Sequence, residues 1–431
     1  MNSSLFDEIE SEVRSYCRSF PAIFVKSLGS MLYDVKGRGY LDFFAGAGSL
    51  NYGHNDPDMI DAVVQYVRQN GILQSLDLHT EAKARFLSTF RRIVLEPRTL
   101  DYKLQFTGPT GANAIEAALK LARKVTGRHT IACFSGGYHG MSQGALAITA
   151  NSAKRASVGV QVPGVVRLPY DAVSLADVDT QLLLLRDMFT KPGYGVDAPA
   201  AFILECVQGE GGLNCASSAW LVGIARLAKE IGALLIVDDI QAGCGRTGTF
   251  FSFEAAGIVP DIVCLSKSLS GAGFPMSMNL IRREIDIWSP GEHNGTFRGN
   301  NLAMITATVA LEKFWATPEF AASVVEKSAV LRSTLRGALE DDDQVSIVGR
   351  GLITGLRFAQ PAIAKALSIQ LFKDGMTIET CGPRNEVLKC MPPLTIDSSL
   401  LRQGAERIVD TTRATLASHH SQDRKSVYEA S

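Results

Sequence analysis

The 431-residue sequence has no cysteine pair at CxxC spacing, no long apolar run and no excess of either charge. Its eight cysteines, at 17, 133, 206, 215, 244, 264, 381 and 390, are scattered, and several lie inside apolar stretches. That pattern points to reduced, mostly buried thiols and away from a disulfide framework or a metal site. The seven histidines are equally dispersed, with His419 and His420 in a polar tail, so no metal centre is expected. Apolar runs such as 233–237 fall far short of the ~20 residues that a membrane-spanning helix requires. A formal net charge of −1 supplies no field toward nucleic acid or an anionic membrane. Residues 1–10 carry acids and no basic-then-apolar signal pattern, so a cytoplasmic protein is expected. No internal repeat or low-complexity segment is present.

What remains is the composition of a globular protein, 46% hydrophobic and 20% charged. The chain is too long for one small core, which suggests two or three domains. Short runs at 103–107, 130–134, 165–168, 200–207, 234–238 and 261–265 read as strands. Most are apolar on both faces, as in strands buried between two helical layers. A helical stretch at 220–231 ends at Gly232 and separates the fourth and fifth strands, which argues a parallel sheet with crossover helices. This part spans 51–305. Before it, 29–42 reads as a hairpin with its turn at Lys36 and Gly37. After it, 306–417 holds helical runs at 305–315 and 324–339 and strands at 346–348 and 352–358, as in a smaller α+β domain. Residues 418–431 read as a polar, frayed tail.

Three constellations carry chemistry. In FTGPTGANAIEAALKLARK (106–124) a strand ends, glycines turn the chain and a helix begins near Ala112. Ile115, Ala118, Leu119 and Ala122 fall on one face, and Arg123 and Lys124 occupy the last turn before Gly127. A glycine turn feeding a helix N-terminus presents backbone N–H groups to a phosphate, although a plain connector would read the same way. In LLIVDDIQAGCGRTG (234–248) a buried strand ends in Asp238 and Asp239, where α/β sheets place ligands; a helix-capping aspartate is the alternative. In DIVCLSKSLSGAG (261–273) Lys267 stands just past an apolar strand. A partly desolvated amine there has a lowered pKa and can attack a carbonyl. A phosphate cup, an aspartate that keeps a pyridine nitrogen protonated and an imine-forming lysine are together the parts of a pyridoxal-phosphate site.

The segments GSMLYDVKGRGYLDFFAGAGSLNYGHNDP, TGANAIEAALKLAR, SGGYHG, ECVQGEGG, DDIQAGCGRTG, LSKS and GTFRGN occur in this order over nearly the whole length. With them the chain resembles the class-III aminotransferases of the ornithine/4-aminobutyrate type. ESEVRSYCRSFP, LDFFAGAGSLNYGHN and IVDDIQAGCGRTGTFFSFEAAGIVPDIVCLSKS are similar to the branch acting on L-2,4-diaminobutyrate and 2-oxoglutarate in ectoine biosynthesis. The resemblance implies an α/β architecture of fold type I. Its large domain, 51–305, has a mostly parallel sheet sandwiched by helices, and its smaller α+β domain comes from both termini, 1–50 and 306–417.

The same resemblance implies site roles. Lys267 holds pyridoxal 5′-phosphate covalently and moves protons, and Asp238 pairs with the ring nitrogen. Gln241 bonds the ring hydroxyl, Tyr138 lies on the ring face, and the amides of Gly111 and Ala112 hold the phosphate. Thr296 reaches the phosphate of a neighbouring subunit, so a homodimer or larger assembly is implied. Glu210 matches the glutamate that in relatives pairs with an arginine when the substrate is a diamine and swings away for 2-oxoglutarate.

Two positions depart from the family pattern. Asp239 is the second acid of a motif that usually reads D-E-x-Q, and Lys389 stands where relatives commonly carry a carboxylate-binding arginine. A lysine is a point charge without the arginine fork. Arg246 reads as structural. The implied substrates are glutamate with 2-oxoglutarate, and aspartate 4-semialdehyde with L-2,4-diaminobutyrate. The alternatives are another ω-amino acid transaminase (ornithine, acetylornithine or 4-aminobutyrate) or an aminomutase or racemase on the same cofactor.

Overall fold

The computed structural model describes residues 4–156, 164–171, 176–337, 339 and 344–429. Near the N-terminus the chain forms an antiparallel meander of β1 (Phe24–Leu28), β2 (Met31–Asp34) and β3 (Gly39–Asp42). The expected hairpin is β2–β3. Its turn is fixed by Asp34, whose Oδ1 accepts the amides of Lys36 and Arg38 at 2.9 and 3.0 Å.

The strands that follow are β4 (Tyr102–Gly108), β5 (Ile131–Phe134), β6 (Val165–Leu168), β7 (Ala201–Leu204), the short pair β8 (Val207–Gln208) and β9 (Asn214–Cys215), β10 (Leu234–Asp238), β11 (Ile262–Leu265) and β12 (Ser277–Arg282). Seven of them form one sheet in the order β4-β12-β11-β10-β7-β5-β6. The run from β11 to β6 is parallel, and β12 is antiparallel to both neighbours. Alternate residues divide between two cores. Phe134, Phe202, Leu204, Leu235, Val237 and Val263 join one, with Trp220 and Phe250. Ile131, Cys133, Ile203, Ile236 and Ile262 join the other, against the helix Gly111–Thr126. Both faces are therefore dry, which is why these strands read as unbroken apolar runs.

Two expectations change here. The strand expected over 200–207 stops at Leu204, because the buried Glu205 carboxylate accepts the amides of Tyr138 and Gly209 and turns the chain out of the sheet. The strand β12 was not anticipated. Its serine and asparagine weaken the strand signal, yet both find partners inside: Ser277 Oγ donates to Gly108 O and Asn279 Nδ2 to Ala114 O, each at 2.9 Å.

In the last third, β13 (Val345–Arg350), β14 (Ile353–Phe358), β16 (Glu379–Cys381) and β17 (Val387–Cys390) form a sheet in the order β13-β14-β17-β16. The two-residue strand β15 (Met376–Thr377) instead pairs in parallel with β3 and ties the two ends of the chain together. Helices Asn301–Phe314 and Glu319–Arg336 begin a turn earlier than their apolar spacing suggested. The last helix, Ser398–Glu429, continues through the polar stretch expected to fray. No proline or glycine interrupts the sequence after Gly404 to stop it. Among the described residues, no helix is long and apolar enough to cross a membrane.

The helix Ser218–Ile231 starts where Ser217 accepts the Trp220 amide at 3.2 Å and closes at Gly232, φ 67°. Its Trp220 is fully buried and meets Phe134 edge-on, ring centroids 4.8 Å apart. Trp220→Ala should therefore cost about 3–5 kcal/mol, read as a lowered unfolding midpoint; an unchanged midpoint would refute this packing.

Candidate active site

At the C-terminal ends of the parallel strands lies a cleft of about 460 Å³, where open α/β sheets bind their ligands. Gly111, Ala112, Tyr138, His139, Glu205, Glu210, Asp238, Gln241 and Lys267 line it, so most of the expected site residues converge. The helix Gly111–Thr126 opens at the cleft with Thr110 N bonded to Asn113 Oδ1 at 3.1 Å, leaving the next amides directed at an incoming anion. A side chain at 111 would have its Cβ 2.8 Å from Ile240 Cδ1, so Ile240 would have to shift to admit one.

Asp238 ends β10, and only 5% of it is exposed. Its Oδ2 is 2.7 Å from His139 Nδ1, and its Oδ1 accepts the Ile240 amide at 3.2 Å. Burial works against a charged His139, but the Asp238 carboxylate beside it holds the imidazole above its ordinary pKa. Glu205 lies close by, and burial pushes its carboxyl up to about 7.

Lys267 follows β11 in a left-handed conformation, φ 50°, which is strained for any residue but glycine. Burial lowers the pKa of its amine, with Glu210 opposing. Its Nζ donates to Ala47 O at 2.7 Å, and Gln241 Nε2 donates to the same oxygen at 3.0 Å. Gln241 Oε1 is buried with no hydrogen-bond partner among the described residues. The Tyr138 ring borders the cleft and carries Lys154 Nζ 4.6 Å from its centroid.

Glu210 Oε1 accepts Lys389 Nζ at 2.7 Å. Burial disfavours this carboxylate, yet Lys389 holds it down at about 2. Lys389, expected as a substrate-binding cation, is wholly buried and does not border the cleft. Thr296 is exposed and also outside the cleft. Arg246 is buried, its Nη1 donating to Leu352 O at 3.2 Å and to Pro392 O, which is a structural tie between the loop after β10 and the C-terminal third.

Three contributors were missed. The Ala47 carbonyl carries no side-chain signature at all. Glu379 becomes visible only through its cross-strand partner Lys389. His139, inside SGGYHG, had a signal: it is a lone histidine in a glycine turn.

Asp239 points away from the cleft, its Oδ2 accepting the Ser252 amide at 3.0 Å, and burial pushes its carboxyl up to about 7. A carboxyl raised on folding stabilises the native state fully below its unfolded pKa, and that stability is lost as pH rises through about 7. Asp239→Asn should thus gain stability relative to the parent between pH 5 and 8, checked by melting curves at each pH; parallel curves would refute the assignment.

The aminotransferase class-III model matches residues 14–412. The chain is 49% identical over 413 residues to an uncharacterised aminotransferase of Sinorhizobium fredii, covering 95% of this chain and 92% of that one. It is likewise 49% identical to the diaminobutyrate–2-oxoglutarate transaminase of Halalkalibacterium halodurans, covering 95% and 96%. Among solved structures, the ornithine aminotransferase of Toxoplasma gondii superposes with a TM-score of 0.81 at 25% identity, covering 96% of this chain and 95% of that one. With its lysine, aspartate and helix N-terminus gathered in one cleft, this chain belongs to the class-III aminotransferases.

Proposed function

We propose that the protein is a pyridoxal-phosphate-dependent transaminase that takes the amino group of L-glutamate and aminates aspartate 4-semialdehyde. The products are 2-oxoglutarate and L-2,4-diaminobutyrate, and the reaction is reversible. The observation that carries the reaction class is the convergence of Lys267, Asp238 and the Gly111 helix N-terminus in one cleft. The substrate is supported by relatives named diaminobutyrate–2-oxoglutarate transaminase at about 50% identity over nearly the full length, among them those of Halalkalibacterium halodurans and Vibrio cholerae. The segment resemblance supports a role in ectoine biosynthesis.

The residues fit the cofactor. The Gly111 and Ala112 amides, at the positive end of a 16-residue helix, suit its phosphate. Asp238, fixed by His139, suits a protonated ring nitrogen. The unpartnered Gln241 Oε1 suits the ring hydroxyl, and Tyr138 the ring face. Pyridoxal phosphate, when bound, supplies an electron sink for the charge left on a substrate carbon as its proton departs. Lys267 Nζ, whose pKa burial lowers, takes that proton from the carbon bearing the amino group and later returns one. Asp238 and Glu205, both buried, are kept from most of the water. Thr296, exposed outside the cleft, would serve the phosphate of a second copy, so the purified protein should sediment as a dimer or larger.

The deciding measurement is the visible absorbance of the purified protein and of Lys267→Ala, before and after adding L-2,4-diaminobutyrate. The parent should show a band that the diamine shifts, and the variant should lose turnover by roughly 10²–10⁴-fold or more. No band after adding pyridoxal phosphate would overturn the reaction class. Fast use of ornithine with none of diaminobutyrate would overturn the substrate.

A further inference from the structure

A second cavity, of about 430 Å³, lies away from the catalytic cleft and shares none of its lining residues. Four elements meet there: Cys215 on β9, Thr247 in the loop after β10, Ser328 and Arg332 on the helix Glu319–Arg336, and Arg350 at the β13–β14 turn. Val325, Ser328 and Arg332 follow helical spacing, so one face of that helix borders the cavity. The turn requires glycine on both sides of Arg350. Gly349 and Gly351 have φ of 89° and 69°, and a Cβ on them would lie 2.2 Å from Ile353 O and 2.1 Å from Arg246 O.

The cavity is cationic. Arg332 Nη1 donates to Gly349 O at 2.9 Å and to Thr354 Oγ1 at 3.4 Å, and Arg350 Nη2 donates to Ser252 O. Nearby, Arg357 Nη2 donates to Gly212 O and to Asn214 Oδ1, both at 2.7 Å. All these partners are neutral, and none of the three guanidiniums meets a carboxylate among the described residues. Their charges converge on the half-buried Cys215 thiol: burial raises its pKa, and Arg350, Arg332 and Arg357 all oppose the rise. No acid lines the cavity. Asp239, on which Arg350 also acts, is buried against the Ser252 amide instead.

Hydrogen-bonding capacity is left over as well. Arg350 Nε and Thr247 Oγ1 are buried with no partner among the described residues, whereas buried donors are ordinarily satisfied. Two like charges held on one cavity wall repel each other, and a bound anion would remove that repulsion.

We propose that this cavity is an anion-binding site that takes a small oxyanion, a phosphate or a carboxylate, between Arg332 and Arg350. A guanidinium fork matches two oxygens of either group at once, and the Thr247 hydroxyl adds a further donor. The assignment stands whether or not the transaminase reading holds.

The test is thermal unfolding of the protein loaded with pyridoxal phosphate, so that the cleft's own anion position is filled. Inorganic phosphate and, separately, malonate are added at an ionic strength held constant with sodium chloride. At least one should raise the unfolding midpoint saturably, and the one that does so names the class of anion. In Arg332→Gln the concentration that gives half of this rise should increase about tenfold or more. Val325→Glu should act in the same direction, because Val325 is 58% exposed at the cavity rim and a carboxylate there would compete for the arginines. Should Arg332→Gln fail to fold, Val325→Glu decides alone. A rise that grows linearly with concentration, or that persists unchanged in the variants, would be a general salt effect and would overturn the site. No rise with either anion would overturn it too.

Discussion

The hydrogen bond between His139 Nδ1 and Asp238 Oδ2, 2.7 Å long and almost out of contact with water, is the constraint around which the site is arranged. A carboxylate at the end of a buried strand is costly unless something holds it ionised. His139, itself part of the cleft wall, meets that cost, and Thr149 Oγ1 in turn accepts the His139 amide at 3.0 Å. The glycine turn that carries His139 also carries Tyr138, whose amide is fixed by Glu205. One loop therefore sets the charge at the strand end and the aromatic wall in front of it. The break of β7 after Leu204 serves the same purpose, since it delivers Glu205 to that loop and Glu210 to the cleft.

The opposite wall depends on a strained turn. Ala45, Gly46, Ala47 and Gly48 all have positive φ, and two of the four are alanines. Asp42 holds this turn: its Oδ1 accepts the amides of Phe44 and Ala45 and the Thr377 hydroxyl, all at 2.9 Å, and its Oδ2 meets His54 Nε2 at 2.7 Å. The reward for the strain is the Ala47 carbonyl, aimed where it receives both Lys267 and Gln241. Because Thr377 belongs to β15, the N-terminal strands and the C-terminal third must assemble together before that carbonyl is in place.

This distribution explains what could be read in advance. The parallel strands announce themselves through continuous apolar runs, and the phosphate helix through glycine and 3.6-residue spacing. Lys267 and Asp238 were legible because charged residues just past buried strands are uncommon. Features built from backbone or from tertiary pairing were not legible. The Ala47 carbonyl has no identity in sequence, β12 hides its polar side chains in private hydrogen bonds, and Glu379 is an ordinary acid until β16 meets β17. Lys389 shows the limit most clearly. Its position alone suggested a cation for substrate, whereas its surroundings show a cation already claimed twice.

The charges around the cleft are divided by kind. The phosphate end is met by helix amides, which are neutral groups with fixed dipoles. At the other end ionisable side chains dominate, with Glu205, Asp238, Glu210 and Glu379 set against His139, Lys267 and Lys389. Glu205, Asp238 and Glu210 each meet a named hydrogen-bond partner. A dipole site holds an anion without needing a counter-charge elsewhere, so the cofactor end and the substrate end can be tuned separately.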